Sequence, residues 1–188
     1  MPENGIIKLN YDGAIFSSSS EVGLGVIARD SAGACVWWKS ARKRQVSEPE
    51  MVEALAAREA VLLARQFGWR KIVLEGDSAN IHHKLNSPQP DSSTTGTVIR
   101  DIKSLVSDFD LCCFSLVRRM ANKVAHCLAR KASVSGNEGS CFPLCWLDIC
   151  SLFWINELFN FSLKKKKKKK KKKVTKCCTA QKSTAVRS

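Results

Sequence analysis

The sequence is short of the residues that several common kinds of site require. It holds only three histidines and one tyrosine in 188 residues, and none of its nine cysteines forms a CxxC pair. A structural zinc site needs four such ligands at close spacing. Cys141, Cys145 and Cys150 are loosely spaced and have no nearby histidine, which argues against zinc. A secretory signal is not expected either, because Met1-Pro2-Glu3-Asn4-Gly5 begins neither a basic nor an apolar leader. With an odd number of cysteines and no such signal, reduced thiols in a nuclear or cytoplasmic compartment are the expectation.

There is also little acidic charge overall, and the formal net charge is +14. Most of that excess comes from one uninterrupted run, Lys164 to Lys173. Residues 1–146 carry 18 Lys+Arg and 15 Asp+Glu, a net of +3. A mild positive balance is compatible with a phosphate-backbone ligand without requiring one.

The apolar pattern predicts one α/β domain. Residues 6–16, 22–30 and 34–41 read as three strands with short connections, the first followed by the polar turn Ser17–Ser20, which implies an antiparallel meander. Ser47-Glu48-Pro49-Glu50 reads as a helix start with Ser47 as cap and Glu50 completing a capping box. A stripe of Val52, Leu55, Ala56, Leu62, Leu63 and Phe67 follows, and Gly68 ends the helix. Ile72-Val73-Leu74 is a continuous apolar strand, as expected where both faces are covered. A helix over 78–86, another through Val98 to Phe109, a strand over 111–117 and a last helix capped by Asn122 complete the order. The result is a five-stranded mixed sheet, meander plus parallel strands, flanked by helices.

Three acids stand at the ends of these elements. Asp12 lies in the first strand, Glu53 in the first turns of the first helix, and Asp77 just after the fourth strand. Read singly, Asp12-Gly13 is a hairpin signal, Glu53 complements a helix dipole and Asp77 caps a helix. Read together, they can converge at one edge of the sheet and bind hard divalent cations through oxygen. Such a cluster is costly unless a cation neutralises it. Glu59, within the apolar stripe, reads as a partner for a basic side chain. His82 and His83 read as surface residues, and Trp37 and Trp38 as one core and one half-exposed residue.

The motifs Lys8-Leu9-Asn10-Tyr11-Asp12-Gly13-Ala14, Gly23-Leu24-Gly25-Val26-Ile27-Ala28-Arg29-Asp30, Glu53-Ala54-Leu55-Ala56-Ala57-Arg58-Glu59-Ala60, Glu75-Gly76-Asp77-Ser78 and Ala121-Asn122-Lys123-Val124-Ala125 occur in this order. In this, residues 6–134 resemble the type 1 ribonuclease H domain of plant non-LTR retrotransposon-derived proteins, in the RNase H-like superfamily. The resemblance implies hydrolysis of the RNA strand of an RNA–DNA hybrid by two magnesium ions about 3.5–4 Å apart. Manganese is the alternative ion. It implies that Asp12, Glu53 and Asp77 are metal-binding carboxylates, with Asp12 bridging. It also implies a fourth carboxylate where this chain has His126 and a loop histidine where it has Leu116. His126, a softer and neutral ligand, suits manganese or zinc better than magnesium. The alternative function is therefore a catalytically impaired, retroelement-derived nucleic-acid-binding domain. Arg118, Arg119, Asn122 and Lys123 are the expected nucleic-acid contacts, and a solvated basic face is the other reading of the cluster, which includes Arg130 and Lys131. The expected state is a monomer.

Beyond residue 134 the resemblance fades. Residues 135–163 form an apolar tail, in which Asp148 and Glu157 would each cost roughly 2–3 kcal/mol at a bilayer centre, against a membrane anchor. Residues 164–188, with the lysine run, read as disordered. That run is either a localisation or nucleic-acid arm or the translation of an A-rich stretch.

Overall fold

The computed structural model describes residues 5–16, 21–44, 46, 48–132 and the backbone of 137–139. The chain divides into a unit over Met1–Cys141 and a second over Phe142–Ser188. The expectations for the Ser17–Ser20 turn, the Ser47 cap, Cys141, Cys145 and Cys150, and the two tail segments lie outside the described residues.

The described elements are β1 (Ile7–Phe16), β2 (Glu21–Arg29), β3 (Cys35–Arg44), α1 (Pro49–Gln66), β4 (Lys71–Gly76), α2 (Ala79–Asn86), α3 (Gly96–Val106), β5 (Leu111–Leu116), α4 (Lys123–Lys131) and β6 (Asn137–Gly139). The sheet order is β5-β4-β1-β2-β3-β6. The expected five strands form the meander β1-β2-β3 and the parallel pairs β1-β4 and β4-β5. The three-residue β6, which no sequence pattern marked, adds antiparallel to β3.

Strand alternation divides the layers, because successive side chains point to opposite faces. Leu9 and Tyr11 face the larger core with α1, α2 and α3, whose contributions include Val52, Leu63, Ile81, Leu85, Ile99 and Ile102. The stripe of α1 is more alanine-rich than expected: Ala54, Ala57, Ala60 and Ala64 are buried with Val52, Ala56 and Leu63. Phe67 is not buried; it sits at the exposed C-terminal cap and packs between Trp37 and Trp69. Both tryptophans of β3 are half-buried, Trp37 against the larger core and Trp38 against the smaller one. Glu59 pairs with Lys39 at 3.0 Å, as its place in the stripe implies. Against the expectation of reduced thiols throughout, Cys35 is disulfide-bonded, while Cys112, Cys113 and Cys127 are free.

The opposite face carries α4. Its Ala125 and Leu128 close a small core with Ile27 and Cys35. A Cβ at Gly23 would collide with the carbonyl of Ala129, and one at Gly25 with the carbonyl of Ala125. The two glycines of Gly23-Leu24-Gly25 therefore let the helix backbone lie directly on β2. Gly25 is the register partner of Asp12, so this close approach brings α4 to the level of Asp12. Ser40 fastens the same helix by donating to the Leu128 carbonyl at 2.7 Å.

Candidate active site

Three elements deliver one carboxylate each to the same place. Asp12 comes from the middle of β1, Glu53 from the second turn of α1, and Asp77 from the residue after β4. One oxygen from each lies within 4.8 Å of the others. The chain therefore assembles three negative groups against their mutual repulsion. Asp12 is only 4% exposed.

Local chemistry fixes each position. Tyr11, buried beside Asp12, lies so close to Gly76 that a Cβ there would meet its ring at 2.5 Å. Only glycine lets the turn before Asp77 approach this ring. Ser78, not Asp77, caps α2, its hydroxyl accepting from the Ile81 N–H at 3.4 Å. The capping reading of Asp77 is thereby replaced, and its carboxylate is left for the cluster. At α1 the N-cap is Glu48, with no side-chain cap bond and Pro49 in the first turn.

The electrostatics follow from crowding and burial. Burial first, then the charges of Asp12 and Asp77, push Glu53 up to about 8. The Gly13 N–H and the Arg119 guanidinium pull the other way. One Glu53 oxygen, Oε2, is buried without a hydrogen-bond partner. Asp12 is raised to about 6, chiefly by burial, with His126 opposing and Asp77 adding to the rise. Burial, then the charges of Glu53 and Asp77, raise Tyr11 as well.

His126, in the first turns of α4, brings Nδ1 to 2.7 Å from Asp12 Oδ2. With Asp12 ionised, Nδ1–H is the donor. The imidazole thus joins the site through Asp12, outside the three-oxygen cluster.

The basic residues separate into two groups. Arg118 and Arg119 are exposed in the connection from β5 to α4, and Lys123 is half-buried at the start of α4. Asn122 corrects the expectation of a nucleic-acid contact: it is 1% exposed. Its amide donates to the Tyr11 carbonyl at 2.8 Å and to Asp77 Oδ1 at 3.2 Å. It makes no side-chain cap bond to α4, against the sequence reading. Asn122 instead ties β1 to Asp77, a role that a cap preference alone could not distinguish. Leu116, where a loop histidine was expected, is exposed at the end of β5.

Three carboxylates with an orphaned, buried oxygen fit a hard divalent cation, because oxygen donors and an uncompensated negative charge are what such an ion takes. The mixed sheet, the covering helices and this carboxylate edge define a fold of the RNase H type. The chain belongs to the reverse transcriptase-like family, whose model matches residues 10–132. Among solved structures it is similar to RNase H1 from the halophilic archaeon Halobacterium salinarum, with 22% identity and a TM-score of 0.63 over 68% of this chain and 97% of that one. It is similar to the N-terminal RNase H domain of a Mycobacterium tuberculosis protein, at 15% identity and a TM-score of 0.61 over 68% and 92%. LC11-RNase H1, isolated from compost and solved in complex with an RNA/DNA hybrid, gives 20% identity and a TM-score of 0.55 over 66% and 94%. No curated protein sequence matches. Among the described residues, no helix is long and apolar enough to cross a membrane.

Proposed function

We propose that the domain is a ribonuclease of the H type, hydrolysing the RNA strand of RNA–DNA hybrids. The observation that carries this reading is the convergence of Asp12, Glu53 and Asp77 oxygens within 4.8 Å. Those three residues would hold magnesium, or manganese in its place. Bound there, such an ion would supply activation of a water and stabilisation of the leaving oxygen of a phosphodiester. The chain's own part is positional. Asn122 and Tyr11 hold Asp77 and β1 in register, Gly13 N–H steadies Glu53, and His126 orients Asp12. Arg118, Arg119 and Lys123 supply positive charge for the nucleic-acid backbone. Asn122 stands behind the site rather than in contact with the ligand.

The motifs favour an origin in plant non-LTR retrotransposons; a monomeric state and nuclear or cytoplasmic residence belong to the same proposal. The division into 6–134, 135–163 and 164–188 stays with this reading. A second reading, a retroelement-derived nucleic-acid-binding domain of impaired activity, is favoured by one observation: an imidazole, not a carboxylate, is bonded to Asp12. A labelled RNA–DNA hybrid incubated with magnesium and, separately, with manganese distinguishes them. RNA-strand cleavage under either ion supports the nuclease. Tight hybrid binding without cleavage under both ions sinks it in favour of the binding module.

A further inference from the structure

The end of β5 and its connection to α4 carry side chains that the proposed chemistry leaves unused. Met120 is 70% exposed and Leu116 is 47% exposed. A single apolar residue in water is unremarkable on its own. These two, however, flank a segment containing Arg118 and Arg119, both exposed. From Leu111 to Lys131 the chain contains no aspartate or glutamate, so nothing on this stretch repels a polyanion.

The connection is also fixed to the carboxylate edge. Val117 N–H donates to the Gly76 carbonyl at 2.9 Å. A turn closes on Ala121 N–H to Arg118 carbonyl at 2.8 Å and Asn122 N–H to Arg119 carbonyl at 3.1 Å. Asn122 then anchors the far end to Tyr11 and Asp77. Arg119 is near enough to Glu53 to bias its ionisation. An apolar and basic turn is therefore held beside the site by a backbone bond at one end and by the Asn122 side chain at the other.

We propose that Leu116 and Met120 form an apolar lip that packs against the sugar edge of a nucleic-acid duplex while Arg118 and Arg119 hold its phosphates. Leucine and methionine are among the apolar side chains that proteins press into a minor groove. Phosphate contacts and apolar contacts differ in their response to salt, since only the former release counterions. The lip would supply the part of the affinity that salt does not remove. This inference rests on the proposed hybrid-binding function.

The test is fluorescence anisotropy of the full chain with a labelled RNA–DNA hybrid in EDTA, at about 50 and about 200 mM salt. The variants are Met120→Ser, Leu116→Ser, Met120→Leu and the double Arg118→Ala/Arg119→Ala. Met120→Ser and Leu116→Ser should each raise Kd roughly three- to tenfold, by the same factor at both salt concentrations. Met120→Leu should keep wild-type affinity. The double arginine variant should flatten the salt dependence by about two in log–log slope. An unchanged Kd for Met120→Ser would overturn the lip, and altered sedimentation of that variant would then assign Met120 to contact between copies of the chain. A changed salt slope for Met120→Ser would also overturn it, since the effect would then run through the arginines. If the wild-type chain binds no hybrid, the lip falls together with the function on which it rests. Hybrid binding that Met120→Ser leaves intact removes the lip alone.

Discussion

His126 Nδ1 lies 2.7 Å from Asp12 Oδ2, so an imidazole is bonded to the most buried carboxylate of the cluster. Two consequences follow. One of the two Asp12 oxygens is already engaged, and position 126 carries no fixed negative charge. Asp12 is also held below the value that its burial alone would give.

His126→Asp should therefore strengthen magnesium-dependent cleavage of a hybrid, roughly 10- to 100-fold, the range typical of groups that position a metal's ligands. The added charge should lower the melting temperature of the metal-free protein. Cleavage assays with both ions and paired thermal melts check the two effects. Equal cleavage by wild type and variant would mean that position 126 does not limit the reaction.

Glu53→Gln separates stability from function. Glu53 is raised to about 8 by burial and two neighbouring carboxylates, and one of its oxygens lacks a partner. The amide removes a charge that the fold holds at a cost. The metal-free variant should melt higher than wild type at alkaline pH. Cleavage should fall on the order of 100-fold or more, as when one preorganised charged group is removed from an active site. Retained cleavage would remove Glu53 from the site.

The pH dependence of stability has a definite sign. Glu53 and Asp12 titrate higher in the folded protein than their ordinary 4.5 and 3.8. The fold therefore binds protons that the unfolded chain has released. Their favourable contribution is complete below about pH 4 and disappears as pH rises, through about 6 for Asp12 and about 8 for Glu53. In EDTA the melting temperature should fall across this window. Saturating magnesium should flatten the profile by holding both carboxylates ionised. Melts from acid to alkaline pH, with and without the ion, test it; a flat profile in EDTA would contradict the crowding described above.

Gly25→Ala tests the seat of α4. A methyl group there meets the Ala125 carbonyl and the Leu128 backbone, and overpacking of this kind costs about 1–3 kcal/mol or more. Because α4 carries His126 and follows Asn122, hybrid cleavage should fall along with stability. Denaturant unfolding and cleavage measured on the same preparation would show whether the two losses go together.

Much of the architecture was legible because the apolar periods are strong. Ile72-Val73-Leu74 reads as a doubly covered strand, and the meander reads from three alternating runs with short turns. Asp12, Glu53 and Asp77 were legible as a set because the motifs that carry them occur in one order along the chain, although Asp12 lies in the middle of β1 rather than at its end. Other features lie beyond a one-dimensional pattern. Ser78 and Asp77 are equally good caps, and only the folded turn selects between them. Asn122 has the right residue type for a cap, yet its amide is spent across 111 residues of sequence on Tyr11. Phe67 fits the period of α1 but falls at its C-terminal cap, where the helix leaves the core. The three-residue β6 is too short for any period to mark it.

That Ser78 caps α2 has a consequence for descent. A helix start that relied on Asp77 would force selection to keep an acid there even after the chemistry had lapsed. Here the fold makes a smaller demand on position 77, a single hydrogen bond from Asn122 that asparagine could also accept. Among relatives of this chain, an aspartate retained at that position would record continued use of the site. Its replacement beside an intact serine would mark a lineage that kept the scaffold and gave up the reaction.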